Sequence, residues 1–384
     1  MHSTGLPEIC ERSWDGSDCN LMDLEPLRIL VVDDSRIFRC ALESALEGRP
    51  GICVVGSVWN GEKAIEFVRN SPPDLVTLDV NMPGRGGLET LSDIQAFNAS
   101  RPERPPVGVL LVSALTERGA AVTVEGLERG AFDFIRKPDG PDEKVNAAAL
   151  QQQLFEKIGL LVQRRGRQSS MAKSQPEPSA PPPYQQAGRF QAVAIGSSTG
   201  GPEALVRVLP VLTRQASVPL FIVQHFPQGM TRYFADSLGK KCDYRVAEAS
   251  HGEAVQPRTA YIAPGGRHMI VRKQDGRILI ALNDQPPENG CRPSVDVLFR
   301  SVAAVYPESV VAIVLTGMGC DGAKGLGPLK RSGAYLIAQD EATSVVWGMP
   351  GAAVATNLVD EILPLEAIGS KVAALLGTGT PSCN

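Results

Sequence analysis

Residues 27–36 read LRILVVDDSR, an apolar run that ends in two adjacent carboxylates. The stretch 28–32 has the length and the β-branched content of a buried strand, and Ser35 can cap a helix that follows it. Within that helix, apolar residues from Phe38 to Ala45 recur at spacings of three and four, which indicates one buried face. A strand that leads directly into an amphipathic helix is the repeating unit of an α/β fold.

The same alternation continues along the first half of the chain. Further strands are predicted at 53–57, 75–78, 109–113 and 132–135. Repeated strand–helix pairs imply parallel strands joined by helical crossovers. The first half is therefore predicted to be a five-stranded (βα)5 domain.

A proline-rich segment at 175–183 separates a second α/β unit from the first. In that unit, strands are predicted at 192–196, 220–224, 310–315 and 335–338. A strand–turn–strand pattern from His268 to Leu282 contains Asp275-Gly276, which favours a hairpin. We predict a doubly wound, mainly parallel sheet with an added antiparallel hairpin.

The composition changes along the chain give five predicted segments. They are a disordered extension at 1–26, a first domain at 27–150, a helix end and proline-rich linker at 151–188, a second domain at 189–376, and a disordered tail at 377–384.

The overall composition excludes several classes of protein. The net charge is −4 and the pI is near 5.7, which argues against a nucleic-acid partner. No apolar run reaches the roughly 18 residues of a membrane span, and no signal peptide is evident. The eight cysteines contain no C-x-x-C pair, which argues against a zinc site. A cytoplasmic protein without direct membrane insertion is expected.

Five polar residues of the first domain follow predicted strands. Asp33, Asp34 and Asp79 would meet at the carboxyl edge of the sheet, where they repel one another unless a hard cation joins them. Mg²⁺ fits because it prefers oxygen ligands. Ser113 and Lys137 would complete a cradle for a phosphoryl group. Any single aspartate could equally be a turn or a helix cap, but five such coincidences are improbable.

This domain resembles response-regulator receivers, which have a flavodoxin-like fold. The resemblance rests on the motifs DD (33–34), LDVNMP (78–83), VSA (112–114) and KP (137–138). It implies that a histidine kinase phosphorylates Asp79, and that the Lys137–Pro138 peptide bond is cis. One departure is the segment 84–87, Gly-Arg-Gly-Gly, where receivers often carry an acidic residue.

The resemblance also assigns roles to the other residues of this pocket. The implied Mg²⁺ ligands are Asp34, Asp79 and the backbone carbonyl of Asn81, with Asp33 acting through water. The implied switch residues are Ser113, Phe134 and Lys137, of which Lys137 also contacts the phosphate.

Three residues of the second domain form a possible hydrolase triad. Ser198, His225 and Asp321 each follow a separate predicted strand, so the sheet would gather them at one edge. A histidine can take the serine proton, and a carboxylate can fix the histidine tautomer. Backbone N–H groups, such as that of Met318, could stabilise an oxyanion. The glycine-rich loop 196–201 alone also fits phosphate binding, although no Walker lysine follows it.

The second domain resembles the chemotaxis protein-glutamate methylesterase family. The matching motifs are IGSSTGG (195–201), QHFP (224–227), YIAPGG (261–266), RPSVD (292–296) and LTGMG (315–319). The resemblance implies that Ser198 is the nucleophile, His225 the base and Asp321 the orienting acid, with Thr199 and Met318 as neighbours. Ser197 and Cys320 depart from the residues that are frequent at their positions. Ser294 and Asp296 are more simply explained as the start of a helix, and Arg292 is a weak candidate for substrate binding.

The two resemblances together imply one function. They indicate a phosphorylation-activated enzyme that hydrolyses glutamate methyl esters of methyl-accepting chemoreceptors and deamidates receptor glutamines. A chemotaxis histidine kinase would be the phosphodonor, Mg²⁺ would serve the receiver, and ester hydrolysis would need no cofactor. Two rival functions are a catalytically inactive binding module and a transcriptional regulator. A transcriptional regulator lacks support because no basic helix-turn-helix pattern is present.

Overall fold

The computed structural model describes residues 25–114, 116–171 and 190–377. The predicted proline-rich linker, almost all of the N-terminal extension and almost all of the C-terminal tail lie outside these residues. The chain forms two compact units, which are described separately. The division assigns Ala120–Gly130 to the second unit, but the helix that contains most of them is given below with the first unit, in chain order. None of the helices in the described ranges combines the length and the apolar character needed to cross a membrane.

The first unit is a parallel sheet of five strands in the order β2-β1-β3-β4-β5. This order is that of the flavodoxin-like fold. Its elements are β1 (Leu27–Val32), α1 (Arg36–Leu46), β2 (Ile52–Val58), α2 (Gly61–Asn70), β3 (Leu75–Asp79), α3 (Gly87–Ala99), β4 (Gly108–Ser113), α4 (Glu117–Glu128), β5 (Asp133–Arg136) and α5 (Glu143–Met171).

The predicted helix cap and strands of the first unit are present in the structure. The Ser35 side chain accepts a hydrogen bond from the Phe38 backbone N–H at 3.3 Å and so caps α1. Leu42 and Ala45 on the predicted face are buried, whereas Phe38 is only partly covered. All five predicted strands are present with small shifts at their ends. Every residue of β3 is buried, as expected for a central strand covered by helices on both faces.

The predicted cis bond between Lys137 and Pro138 is wrong. Among the residues that the structure describes, the cis peptide bond is Arg292–Pro293. The trans isomer, which is the lower-energy default, already brings the Lys137 ammonium 2.9 Å from Asp79.

The second unit is a parallel sheet of seven strands in the order β14-β13-β12-β6-β7-β9-β8, with a separate antiparallel hairpin of β10 and β11. Its elements are β6 (Ala192–Ser197), α6 (Gly201–Thr213), β7 (Leu220–Gln224), α7 (Thr231–Gly239), β8 (Arg245–Glu248), β9 (Thr259–Ile262), β10 (His268–Gln274), β11 (Arg277–Asn283), α8 (Val295–Val305), β12 (Val310–Val314), α9 (Ala323–Arg331), β13 (Tyr335–Gln339), α10 (Met349–Ala355), β14 (Glu361–Leu363) and α11 (Leu365–Leu376).

The strand order reverses between β6 and β12, so the crevice for a ligand lies at their carboxyl ends. The central strands β6, β7 and β12 are buried along their whole length. The predicted mainly parallel sheet and the added hairpin are confirmed. Three short strands, β8, β9 and β14, were not predicted, because runs of three or four residues show too little periodicity.

Candidate active site and acidic pocket

The acidic pocket of the first unit lies at the carboxyl ends of β1 and β3, on either side of the point where the strand order reverses. Asp33 and Asp79 are buried, whereas Asp34 is exposed. One carboxylate oxygen from each of the three residues lies within 4.8 Å of the others. The structure therefore brings together the three aspartates that the sequence singled out.

Lys137 joins two of these aspartates. Its Nζ lies 2.6 Å from Asp33 Oδ2 and 2.9 Å from Asp79 Oδ2, and 4.6 Å from the centre of the Phe38 ring. Burial lowers the pKa of Lys137, but its contacts with Asp33 and Asp79 outweigh this effect and raise the pKa. Burial raises the pKa of Asp79 despite the opposing effect of the Lys137 contact.

The residues of this pocket fit a hard divalent cation. All three donors are carboxylate oxygens, which Mg²⁺ prefers. Asp33 Oδ2 is buried, and within the described part of the chain it is paired with the Lys137 ammonium, at 2.6 Å. One ammonium leaves a buried pair of carboxylates short of positive charge, and a cation held by Asp33, Asp34 and Asp79 would supply it.

The remaining predicted receiver residues lie around the same edge. Ser113 is buried at the end of β4, and its hydroxyl lies 3.5 Å from the Gly119 carbonyl oxygen. The backbone N–H of Asn81 donates to Asp79 Oδ1 at 3.2 Å. Phe134 is half-buried on β5. Their roles as switch residues, and the Asn81 carbonyl as a metal ligand, stay predictions.

Close packing and backbone conformation explain the glycines that follow Asp79. A Cβ at Gly87 would lie 2.4 Å from the Asp79 carbonyl oxygen, and Gly84 has a φ of +73°. Only glycine allows both the close approach and the left-handed backbone without strain. The unusual composition of this loop therefore lets α3 begin directly against the end of β3.

In the second unit, the three predicted triad residues follow the three central strands. Ser198 follows β6, His225 follows β7 and Asp321 lies in the loop after β12. The His225 backbone N–H donates to the Ser197 carbonyl at 3.1 Å, so β6 and β7 remain paired up to the site. The sheet therefore gathers these residues at the predicted crevice.

His225 and Asp321 are directly hydrogen-bonded. His225 Nε2 lies 2.9 Å from Asp321 Oδ2, and the His225 side chain is 13% exposed. A carboxylate accepts only, so Nε2 carries the proton and Nδ1 is the basic nitrogen of the neutral ring. The Sγ atom of Cys291 lies 3.6 Å from that Nδ1.

Asp321 is also held by donors from two distant segments and from the adjacent Gly322. Its Oδ2 accepts the Val295 backbone N–H at 2.7 Å. Its Oδ1 accepts four hydrogen bonds, from Ser294 Oγ at 2.8 Å, Asn289 Nδ2 at 3.0 Å, and the backbone N–H groups of Asp296 and Gly322 at 3.1 Å each. This cradle fixes the carboxylate in one orientation.

The electrostatics of the pair follow from this cradle. Burial lowers the pKa of His225, but the hydrogen bond with Asp321, with a smaller effect of Cys291, raises it to about 9. Burial raises the pKa of Asp321, but His225 and the donors of Val295 and Ser294 lower it to about 2. Asp321 therefore stays ionised and stabilises an imidazolium.

Ser198 lies at the same sheet edge as this pair, but its hydroxyl is not hydrogen-bonded to it. Its backbone N–H donates to the Thr316 carbonyl at 3.0 Å, and its side chain is partly exposed. No hydrogen bond joins Ser198 Oγ to His225 or to any other residue of the described ranges. The structure thus places the serine at the predicted edge without forming the predicted hydroxyl–imidazole contact.

The two predicted neighbours of Ser198 lie on adjacent loops. Thr199 is buried, and its carbonyl accepts from Thr316 Oγ1 at 2.9 Å. Met318 is 40% exposed. Within the described part of the chain its backbone N–H donates no hydrogen bond. A Cβ at the preceding Gly317 would lie 2.8 Å from Ser198 Cβ, so this loop approaches the serine closely.

Several residues of the site were missed by the sequence analysis. Ser294 does cap α8, as expected, by accepting from the Val297 N–H, but it also donates to Asp321. Asn289 donates from one amide nitrogen to both Asp321 and Asp296. The Asn-Gly pair at 289–290 signals a turn, but no sequence pattern indicates that this turn reaches the triad.

Ser197 has a structural role beside the nucleophile. It is fully buried, and its hydroxyl donates to Gln224 Oε1 at 2.7 Å. The Gln224 amide nitrogen in turn donates to the Ser198 carbonyl at 3.0 Å. Ser197 therefore holds the glutamine that fixes the Ser198 backbone, and its hydroxyl is not available as a nucleophile.

Comparison with known proteins finds relatives of both units. A family model described as CheB methylesterase matches residues 193–372, and a model of the response regulator receiver domain matches residues 29–149. A protein-glutamate methylesterase/protein-glutamine glutaminase of Desulfotalea psychrophila is 40% identical over 363 residues, which cover 91% of this chain and 98% of that protein. The protein of the same name from Pyrococcus abyssi is 39% identical over 355 residues, which cover 90% of this chain and 92% of that protein.

Solved structures match each unit separately. The CheB methylesterase catalytic domain of Thermotoga maritima is 38% identical, with a TM-score of 0.47, and covers 48% of this chain and 98% of that one. The response regulator domain of CheB from the same organism is 35% identical, with a TM-score of 0.31. The match covers 36% of this chain and 97% of that domain. The chain belongs to the CheB methylesterase family, and a response regulator receiver domain precedes its methylesterase domain.

Proposed function

We propose that this protein hydrolyses glutamate methyl esters on the cytoplasmic signalling helices of chemoreceptors and deamidates receptor glutamines, in sensory adaptation. The relatives named above carry both activities in their names. The observation that carries the proposal is the His225–Asp321 hydrogen bond, at the same sheet edge as Ser198. These elements support acyl-transfer chemistry.

The reaction begins with proton transfer from Ser198. Asp321 holds the proton of His225 on Nε2, so Nδ1 accepts the proton of the serine hydroxyl as this attacks the ester carbonyl. This step needs the Ser198 side chain to turn toward Nδ1, and catalytic hydrogen bonds often tighten in this way on substrate binding. The imidazolium then protonates the leaving methoxy oxygen, which departs as methanol, or the leaving nitrogen of a glutamine, which departs as ammonia.

The loops around Ser198 provide candidates to stabilise the oxyanion. The Met318 N–H, which is unused within the described residues, lies in the loop that contacts Ser198. Such a donor contributes about 3–4 kcal/mol to the transition state in other hydrolases. Water then attacks the acyl-enzyme, with His225 again as the base, to release glutamate. This sequence of steps uses no metal.

The receiver domain supplies the regulation. Asp79 accepts a phosphoryl group from a chemotaxis histidine kinase. Asp34, Asp79 and the Asn81 carbonyl, with Asp33 through water, would hold Mg²⁺, which would neutralise charge during this transfer. Ser113, Phe134 and Lys137 respond to the phosphoryl group. Phosphorylation raises hydrolase activity by shifting the receiver between a restraining and a permissive state. A cytoplasmic location fits these partners.

One experiment separates the esterase from a binding module that has the same fold. Methanol release from methylated receptor membranes is measured for wild type and Ser198→Ala, with Ser197→Ala as the matched control. We expect a loss of at least about 10⁴-fold in Ser198→Ala. The control should lose far less activity, because the Ser197 hydroxyl positions the Ser198 backbone through Gln224 but contacts neither His225 nor Asp321. Equal methanol release from wild type and Ser198→Ala would exclude serine catalysis.

A second experiment tests the regulation. Deletion of residues 1–186 should raise the basal rate of methanol release if the receiver restrains the hydrolase. A small phosphodonor with Mg²⁺ should raise the rate of the full-length protein in the same direction. An unchanged or lower rate after the deletion would exclude restraint by the receiver.

A further inference from the structure

Cys291 is held beside the catalytic imidazole by a tight turn. Glu288 and Cys291 exchange backbone hydrogen bonds of 3.1 and 2.9 Å, and Asn289 and Gly290 between them have φ values of +52° and +74°. This is the geometry that an Asn-Gly pair favours. Glu288 is anchored by an ion pair with Arg300 of α8. The turn therefore holds the backbone of Cys291, and the Cys291 Sγ also lies 3.6 Å from the Asn289 carbonyl oxygen.

The thiol faces the basic nitrogen of His225. Cys291 is a free cysteine and is half-buried. Its Sγ lies 3.6 Å from His225 Nδ1, and one atom each of His225, Cys291 and Asp321 lie within 4.8 Å of one another. No step of the proposed hydrolysis uses this sulfur. Its place against the base needs a separate explanation.

The separation of sulfur and nitrogen matches that of two ligands on one zinc ion. Zinc binds cysteine sulfur at about 2.3 Å and histidine nitrogen at about 2.0–2.1 Å, and tetrahedral angles then separate the two ligands by about 3.6 Å. The observed distance is 3.6 Å. Thiolate and imidazole together select Zn²⁺ over hard cations such as Mg²⁺.

The other side of the ring has the partner that zinc-binding histidines have. A histidine that binds zinc usually donates its second ring N–H to a carboxylate, which fixes the tautomer and raises the basicity of the ligand nitrogen. Asp321 accepts this bond from Nε2, at 2.9 Å, and leaves Nδ1 to face the sulfur. No pattern in the sequence indicated this arrangement, because Cys291 and His225 come from distant loops.

We propose that His225 Nδ1 and Cys291 Sγ, with Asp321 behind the imidazole, form a binding site for Zn²⁺ that inhibits the hydrolase when occupied. The ion takes the lone pair that would accept the Ser198 proton, and the thiol loses its proton to the solvent on binding. Solvent fills the remaining positions on the metal. The inhibitory part of this proposal rests on the proposed esterase function, but the metal site does not.

Cobalt substitution tests the site directly. Full-length, reduced protein is titrated with Co²⁺ in excess Mg²⁺, and the ultraviolet thiolate-to-cobalt charge-transfer absorption is recorded. The acidic pocket of the receiver contains oxygen donors only and does not give this signal. We expect one equivalent of Co²⁺ to produce the absorption and one equivalent of Zn²⁺ to abolish it. Cys291→Ser should remove it, and Cys53→Ser, at an exposed cysteine of β2, should retain it.

Activity measurements test the inhibition. Each variant is compared with its own rate in the presence of a chelator, with methylated receptor membranes as substrate. Zn²⁺ should inhibit wild type and Cys53→Ser reversibly, and Cys291→Ser should need at least about tenfold more Zn²⁺ for the same inhibition. His225→Gln provides a second spectroscopic test, because it removes the nitrogen ligand and should also abolish the cobalt signal.

The outcomes separate the two proposals. A charge-transfer signal that is absent from wild type, or that survives Cys291→Ser, overturns the metal site. Equal sensitivity of wild type and Cys291→Ser to Zn²⁺ overturns inhibition through this site. A cobalt signal that depends on Cys291 upholds the metal site. If the same protein releases no methanol when a chelator has removed all metal, the esterase function is contradicted and the metal site still stands.

Discussion

Replacing Asp321 by asparagine tests the central pair of the site with little change of shape. Asp321 accepts two hydrogen bonds at Oδ2, from His225 and Val295, and four at Oδ1. An asparagine amide can accept at one of these positions only and must donate at the other. Placing its NH₂ group at Oδ1 would set it against four donors. The favoured orientation therefore places it at Oδ2.

That orientation has two consequences. The Val295 backbone N–H loses its acceptor, which costs about 1–3 kcal/mol of folding free energy. The asparagine also donates to His225 Nε2, so the ring proton moves to Nδ1, the nitrogen that must accept the Ser198 proton. In a serine protease, the same change of the triad aspartate lowers kcat about 10⁴-fold through the wrong tautomer, and we expect a loss of that order here.

Asp296→Asn is the matched control. Asp296 is a buried carboxylate beside Asp321, but it accepts from Gly325 and Asn289 and does not contact His225. Burial, and then the charge of Asp321, raise its pKa to about 6, and its carboxylate bonds to neither His225 nor Ser198. We expect kcat within about tenfold of wild type.

The assay is methanol release from methylated receptor membranes, together with guanidinium unfolding to show that both variants are folded. A kcat for Asp321→Asn within about tenfold of wild type would refute the tautomer argument. An equal loss in Asp296→Asn would show that general disruption of the buried acids, and not the His225 contact, lowers the rate.

Three further predictions concern other parts of the molecule. Catalysis needs neutral His225, whose pKa is raised to about 9, so kcat/KM should increase with pH above the ordinary histidine range. Cys291→Ser should move this rise to lower pH, and an unchanged midpoint in the pH–rate profile would contradict the effect of the thiol on the His225 pKa. Ser294→Ala removes a helix cap and a hydrogen bond to the Asp321 carboxylate, so guanidinium unfolding should show a loss of about 2–4 kcal/mol; a loss below about 0.5 kcal/mol would be inconsistent with both contacts. Asp79→Asn should abolish activation by a small phosphodonor while leaving the unstimulated rate within about tenfold of wild type, and activation that persists would place phosphorylation elsewhere.

The sequence predicted the location of both sites because their residues follow buried parallel strands. Asp33, Asp79, Ser198 and His225 come directly after apolar runs whose ends the pattern defines well. Strands of a parallel sheet end at a common edge, so the pattern is sufficient to bring such residues together. The pattern needs no knowledge of side-chain contacts.

The contacts within the site could not be predicted in the same way. Asn289 and Cys291 reach His225 and Asp321 through a turn that folds back over the sheet edge, and no periodicity relates such distant segments. Ser294 was correctly expected to cap a helix, but a cap signal contains no information about a second partner. The short strands β8 and β14 were missed because packing, and not local propensity, stabilises them.

Apart from the adjacent Gly322, the donors around Asp321 come from three separate stretches of chain, at His225, Asn289 and Ser294–Asp296. These stretches meet only when the domain has folded, so the imidazole is aligned before any ester arrives. The dipoles of the site then need little reorganisation as charge develops, which is the condition for strong electrostatic catalysis. In such a preorganised site, substitutions that loosen the scaffold are expected to slow turnover before they unfold the protein.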